Sequence, residues 1–284
     1  MSNDLSIQIL TPNANHASPD ATHGSSNQSF DLSNNQIYES PVSTCPVELV
    51  KESLFEFFGM YLFITLSLGN VAIYSLYPEA NFNWTGLSLA WGLNLMFGIY
   101  LAGFKSPAHL NPAVSLCMFL FKKSINFKQL LCYTFSQFLG AFCAASTIYG
   151  IYFNKLGYQD TYSNIFTTSS NDAITNYSAW FTEFLGTALL VGGIFLLIDN
   201  NNTNKHLPIY IGLWLTTLIF SIGFQTAFAW NPARDLGPRL FALCAGYSSF
   251  SYTDYYFWIP LTADYIGAIF GVTVYEYLIK PQMN

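Results

Sequence analysis

Six stretches of this chain are apolar for long enough to cross a lipid bilayer. They lie at approximately 54–76, 86–104, 128–151, 179–198, 208–229 and 256–279. About twenty residues in an α-helix match the thickness of the hydrocarbon core. Few charges fall inside them: Lys128 at one end, Glu56, Glu183, Asp264 and Glu276. Only 9% of the 284 residues are charged and 52% are hydrophobic, against roughly 25% charged in an ordinary soluble domain. The expected fold class is an all-α membrane protein.

Residues 1–46 differ. They are rich in Ser, Asn, Pro, Thr and Asp, a composition that predicts a disordered tail. No basic segment followed by an apolar core opens the chain, so a cleaved signal peptide is not expected. Residues 47–284 are expected to form the membrane domain. With six spans both ends lie on one side, and Lys51, Lys105, Lys122, Lys123, Lys128, Lys205 and Lys280 all fall there, with Lys155 alone opposite. The positive-inside rule then predicts cytoplasmic termini. Asn83-Trp84-Thr85 and Asn176-Tyr177-Ser178 are glycosylation sequons on the other side; the same topology leaves Asn27 and Asn201 in the cytoplasm.

Two shorter apolar segments remain, 110–121 and 231–244. At about 1.5 Å per residue each covers roughly half of the bilayer core. They belong to an internal repeat, about 50–151 and 179–280. Glu56-Phe57-Phe58-Gly59 is echoed by Glu183-Phe184-Leu185-Gly186, and Asn111-Pro112-Ala113 by Asn231-Pro232-Ala233. Ser136 to Ala141 is echoed by Asp264 to Ala268. Three landmarks in one order indicate duplication. With three spans per half the second copy inserts upside down, and paired half-segments in such a repeat point to a mid-membrane pore or substrate site.

Asn-Pro-Ala is a good helix start, since Asn is a favoured N-cap and Pro suits the first helical position. Two half-helices entering from opposite faces would meet at their positive N-terminal ends. The Asn111 and Asn231 oxygens would cap their own helices, leaving both amide NH₂ groups to face the lumen. Such a place suits a neutral oxygen and repels cations and protons.

Two such boxes on half-helices, with the flanks Ala108-His109-Leu110 and Arg234-Asp235 and the paired Glu56 and Glu183, resemble the aquaporin, or major intrinsic protein, family. The resemblance covers about residues 50–280. It implies six transmembrane helices plus two half-helices and a homotetramer in membrane lipid with one pore per subunit. It also implies passive passage of water or small neutral solutes, no cofactor, and residence in the plasma membrane. Asp235 after Arg234, and Gly237-Pro238-Arg239 beyond, are similar to the glycerol facilitators, or aquaglyceroporins. By that resemblance Arg234, Trp91, Phe228 and Ile219 form the selectivity constriction. Ile219, twelve residues before Asn231, stands where facilitators usually have Gly and water-selective members His. Pro107 replaces a usual Gly, and Asp264-Tyr265 a usual Gly-Pro pair.

The chemistry agrees with that assignment. The two rings make an apolar wall for the CH edge of a polyol, while Arg234 donates to its hydroxyl edge without losing its charge. A cation beside a mid-membrane half-helix is costly and functional by default. Glu56 and Glu183 are expected to bind loop backbone groups, so that tilted carbonyls form an acceptor ladder. Asp235, facing away from Arg234, is expected to brace the loop before the half-helix, and Arg239 to reach a carbonyl or the outer interface. His109 is expected to be an ordinary packed or hydrogen-bonded side chain.

Other classes fit less well. No basic stretch suits nucleic acid, the cysteines have neither disulfide nor zinc spacing, and no nucleophile–base pair or phosphate loop suggests an enzyme. A fixed arginine and two positive helix ends disfavour an ion channel. A water-selective channel is the alternative, favoured by the bulk of Ile219. A closed-pore structural or regulatory protein is the third reading, and the intact Asn111, Asn231 and Arg234 speak against it.

Overall fold

The computed structural model describes residues 26–31, 36–41, 46–157, 162–200, 206–251 and 255–283. The first repeat comprises α1 (Pro46–Leu76), α2 (Trp84–Ala102), a short helix α3 (Pro112–Cys117) and α4 (Phe127–Leu156). A π-helical segment, Met118–Lys122, continues α3. The small helix α5 (Ser163–Phe166) lies in the connection. The second repeat comprises α6 (Asn176–Asp199), α7 (Leu207–Ile222), α8 (Pro232–Cys244) and α9 (Trp258–Val274). Five of these helices (α1, α2, α4, α6, and α7 with its 3-10 extension to Gln225) are long and apolar enough to cross a membrane. The sixth, α9, has 17 residues and gains five more from the π-helical segment Tyr275–Ile279.

Local chemistry sets several starts. Asn83 caps α2 by accepting from Gly86 N at 3.0 Å. Asn126 and Gln129 form a reciprocal capping box on α4. Asn111 and Asn231 cap α3 and α8 in the same way as each other, by accepting from Ala113 N at 2.9 Å and Ala233 N at 3.0 Å, with Pro at the first helical position of both.

The repeat is visible in the packing. α1 lies on α4 as α6 lies on α9, and α2 crosses α7. A Cβ on Gly140 would sit 2.6 Å from Phe57 O, and one on Gly267 would run into Phe184 O. Phe57 follows Glu56 and Phe184 follows Glu183, so the same contact is made twice. Where α2 meets α7, a Cβ on Gly212 would lie 2.5 Å from Gly92 O. Small residues let helices approach this closely where lipid supplies no hydrophobic drive. Large apolar side chains such as Phe97, Phe135, Leu213 and Phe270 are exposed on the outer surface, as a lipid-facing surface requires.

Upstream of α1, β1 (Ser26–Asp31) and β2 (Gln36–Pro41) pair antiparallel, from Ser26 opposite Pro41 to Asp31 opposite Gln36. This part of the stretch expected to lack structure therefore carries local backbone pairing. The rest of residues 1–45 lies outside the described residues.

Candidate pore

The N-termini of α3 and α8 meet in the interior. Asn111 Nδ2 donates to Trp230 O at 2.9 Å, and Asn231 Nδ2 donates to Leu110 O at 2.7 Å. The amides do not simply face the lumen, as the sequence alone suggested. Each gives one N–H to the loop before the opposite box, and a primary amide has one more to offer. Both residues border a cavity of about 110 Å³.

Four helices wall that cavity with one stripe each: Trp91, Leu95 and Ile99 on α2; Val114 with Met118, where α3 runs on; Leu190, Ile194 and Ile198 on α6; Ile211 and Leu215 on α7. The spacing of four keeps each stripe on a single helix face. This wall is apolar. Polar groups come from the two loops, His109 to Asn111 and Phe228 to Asn231, from Tyr100 and Ser106, and from Arg234.

The loops have unusual backbones. Ala108 and Leu110 take φ of 54° and 49°, and Phe228 and Trp230 take 46° and 44°. In each loop these are the third and first residues before the Asn. Left-handed conformations are uncommon outside glycine and have to be held in place. Two buried glutamates hold them. Glu56 accepts from His109 N and Leu110 N, both at 2.8 Å. Glu183 accepts from Ala229 N at 3.2 Å and Trp230 N at 3.1 Å. With their N–H groups turned outward to these carboxylates, the loops are free to direct carbonyls elsewhere.

Further partners secure Glu56. Ser106 Oγ donates to it at 2.9 Å and Gln137 Nε2 at 2.8 Å. Gln137 also reaches Ser115 Oγ at 3.1 Å, which lies 3.1 Å from His109 Nδ1. His109 thus has a bonded ring nitrogen while it borders the cavity. Neither Ser106 nor Gln137 stands out in sequence, although Gln137 lies within the repeated landmark on α4.

Trp91, Phe228 and Arg234 come together. The two rings meet edge to face, with centroids 5.0 Å apart. The guanidinium carbon of Arg234 lies 4.6 Å from the Trp91 ring and 5.7 Å from that of Phe228. Arg234 is buried, and its Nε and Nη1 have no acceptor among the described residues. Ile219 does not border the cavity. It continues the stripe of Ile211 and Leu215 by one turn. It lies beside Gly223, where a Cβ would meet Ile219 Cγ2 at 3.2 Å and Phe228 Cδ1 at 3.0 Å.

Asp235 points away from the cavity. It accepts from Thr168 N at 2.9 Å, Thr168 Oγ1 at 2.6 Å, Arg239 Nε at 2.9 Å and Arg239 Nη2 at 2.8 Å. The loop it braces is the long connection after α5, not the one preceding α8. Arg239 donates onward to Ser249 O at 2.6 Å and Thr168 O at 2.7 Å.

Beyond the first repeat's end of the cavity, charges alternate in a ring. Lys122 contacts Asp199 at 2.6 Å and Glu276 at 3.1 Å, and Lys280 contacts the same two at 2.9 and 3.0 Å. Burial pulls the Lys280 ammonium downward, but its two carboxylate partners outweigh that and hold it above the ordinary lysine range. No group of three His, Cys, Asp or Glu among the described residues could hold a metal ion.

An inverted helical repeat around an apolar cavity, with two half-helix starts meeting at its middle, defines a channel of aquaporin-like fold. The Major intrinsic protein family matches residues 43–275. The chain is 36% identical over 244 residues to Aquaglyceroporin-2 of Rhizophagus irregularis, covering 81% of this chain and 77% of that one. It is 35% identical over 244 residues to the Glycerol uptake facilitator protein of Escherichia coli (strain K12), covering 79% and 86%. Among solved structures, the aquaglyceroporin from Plasmodium falciparum matches with a TM-score of 0.73 at 32% identity, covering 82% of this chain and 98% of that one. The chain belongs to the major intrinsic protein family. It is an integral membrane protein, and members of the family are passive channels, not enzymes.

Proposed function

We propose that this chain is a passive channel for glycerol and other small uncharged solutes, with water. The observation that carries the reading is the buried Arg234 with two donor nitrogens uncommitted, set against the Trp91 and Phe228 rings. Desolvating a cation without an acceptor is costly, and a polyol hydroxyl passing Arg234 would supply one. The rings would take the CH edge of the same molecule. The aquaglyceroporin and glycerol-facilitator relatives support this solute class.

Ions and protons are excluded at two places in this reading. Asn111 and Asn231 stand at two converging positive helix ends, and Arg234 adds a full positive charge at the constriction. Glu56 and Glu183 support the boxes Asn111-Pro112-Ala113 and Asn231-Pro232-Ala233 from outside the solute path, Asp235 braces the connection carrying Thr168, and His109 borders the cavity. The channel comprises residues 47–284. It assembles as a homotetramer in the plasma membrane, with both termini in the cytoplasm.

Stopped-flow light scattering on proteoliposomes tests the reading by comparing shrinkage by water loss with re-swelling by glycerol entry. Fast re-swelling supports it. Water flow without glycerol entry would favour a water-selective channel, a reading that the close packing of Trp91, Phe228 and Arg234 also suits. Neither flow would favour a closed pore.

A further inference from the structure

Asp264 occupies in α9 the place that Gln137 occupies in α4. Each stands three residues before the glycine, Gly267 or Gly140, that admits the carbonyl of Phe184 or Phe57. In the first repeat Gln137 is a donor, giving Nε2–H to Glu56. In the second repeat the residue is a carboxyl group, set against α6 at the register that Gln137 has against α1. Two carboxylates both accept, so the same brace there needs a proton.

The surroundings of Asp264 are not those of an anion. Both it and Asp235 are fully buried. Asp235 receives two N–H bonds from a guanidinium, one from a backbone amide and one from a hydroxyl. Asp264 Oδ2 receives none from the described residues. Asp264 Oδ1 lies 3.2 Å from Thr187 Oγ1, whose single proton also serves Glu183 O at the shorter distance of 2.8 Å. The charged groups that face it offer no relief. From α6 comes Glu183, and from α8 Asp235, whose Arg239 is already committed. Arg234 on α8 stacks on Trp91, away at the cavity. Tyr256, just before α9, directs its hydroxyl to Glu183 at 3.3 Å. The α3 segment PAVSLC, which also packs on α9, carries neither carboxylate nor cation. An isolated buried carboxylate is expensive enough to neutralise instead.

We propose that Asp264 is a carboxylic acid in the working channel and donates its proton to Glu183, completing in the second repeat the brace that Gln137 provides in the first. Asp264 is then a positioning residue. It fixes Glu183, Glu183 fixes the amides of Ala229 and Trp230, and these set the loop beside Asn231. The proton is stored, not relayed, because Asp264 does not border the cavity.

Infrared spectroscopy of the full-length protein in lipid vesicles at neutral pH tests this whichever solute crosses, so its failure is separate from that of the glycerol reading. The expected spectrum contains the carbonyl stretch of a protonated carboxyl group, and ¹³C-aspartate labelling of the unsubstituted chain shifts it. The only other buried aspartate among the described residues is the ion-paired Asp235, so the label identifies Asp264. Asp264→Asn, a neutral donor like Gln137, removes the band and keeps the water flow. Absence of the band in the unsubstituted chain, or a shift with ¹³C-glutamate instead, would overturn the assignment. So would a band that persists in Asp264→Asn, or an Asp264→Asn channel that inserts but has lost its water flow.

Discussion

Asn111 and Asn231 are cross-braced: each caps its own half-helix through Oδ1 and donates Nδ2–H to the carbonyl that precedes the other. The two boxes, 120 residues apart in sequence (231 minus 111), are therefore one structural unit. Replacing Asn111 by Ala removes a helix cap, worth about 1 kcal/mol, and leaves the buried Trp230 carbonyl without its donor, at about 1–3 kcal/mol. The expected result is a lower thermal unfolding midpoint in detergent and loss of solute flow. An unchanged midpoint would mean that the brace contributes little.

Arg234 is the cation that borders the cavity, against the Trp91 and Phe228 rings. In Arg234→Ala the barrier to cations and to larger solutes falls. Lowering it by about 1.4 kcal/mol raises their flux roughly tenfold. Ion leak and polyol uptake in proteoliposomes measure this, and unchanged selectivity would remove Arg234 from the constriction.

Ile219 and Phe228 both border Gly223. Ile219→Gly gives the Phe228 ring room to withdraw. Glycerol entry should rise relative to water flow, by about fivefold for each kcal/mol of barrier relieved. A constant ratio of the two permeabilities would show that the Phe228 position does not depend on Ile219.

Asp235 and Arg239 form a pair with side-chain exposures of 2% and 0%. Asp235→Asn would leave a buried guanidinium without its counterion, which typically costs about 3–5 kcal/mol. Chemical unfolding in detergent should show a loss of that size, together with faster proteolysis of the connection carrying Thr168. A loss within error of zero would argue that the ring of acceptors around Arg239 suffices by itself.

Deleting residues 2–45 should leave permeability per inserted channel unchanged, because the cavity is built entirely from residues 63–234. Loss of flow in correctly inserted protein would assign the tail a part in the open state.

Much of this protein follows from sequence alone, because the constraints are local. Lipid demands long apolar helices, an Asn-Pro pair starts a helix whatever surrounds it, and a duplicated sequence folds to a duplicated structure. Six spans and two half-helices were legible for those reasons, while the grouping of Trp91, Phe228 and Arg234 was what the resemblance to the glycerol facilitators implied. Tertiary structure decided what depends on residues distant in the chain. Which carbonyl takes each Asn amide is set by how the two inverted halves meet. That Glu56 has Gln137 and Ser106, while Glu183 has Tyr256, reflects neighbouring segments that sequence spacing does not specify. Ile219 sits on the expected helix face, yet it lies outside the cavity lining, beside Gly223. Helix periodicity assigns a side chain to a face; only packing in three dimensions determines what that face meets.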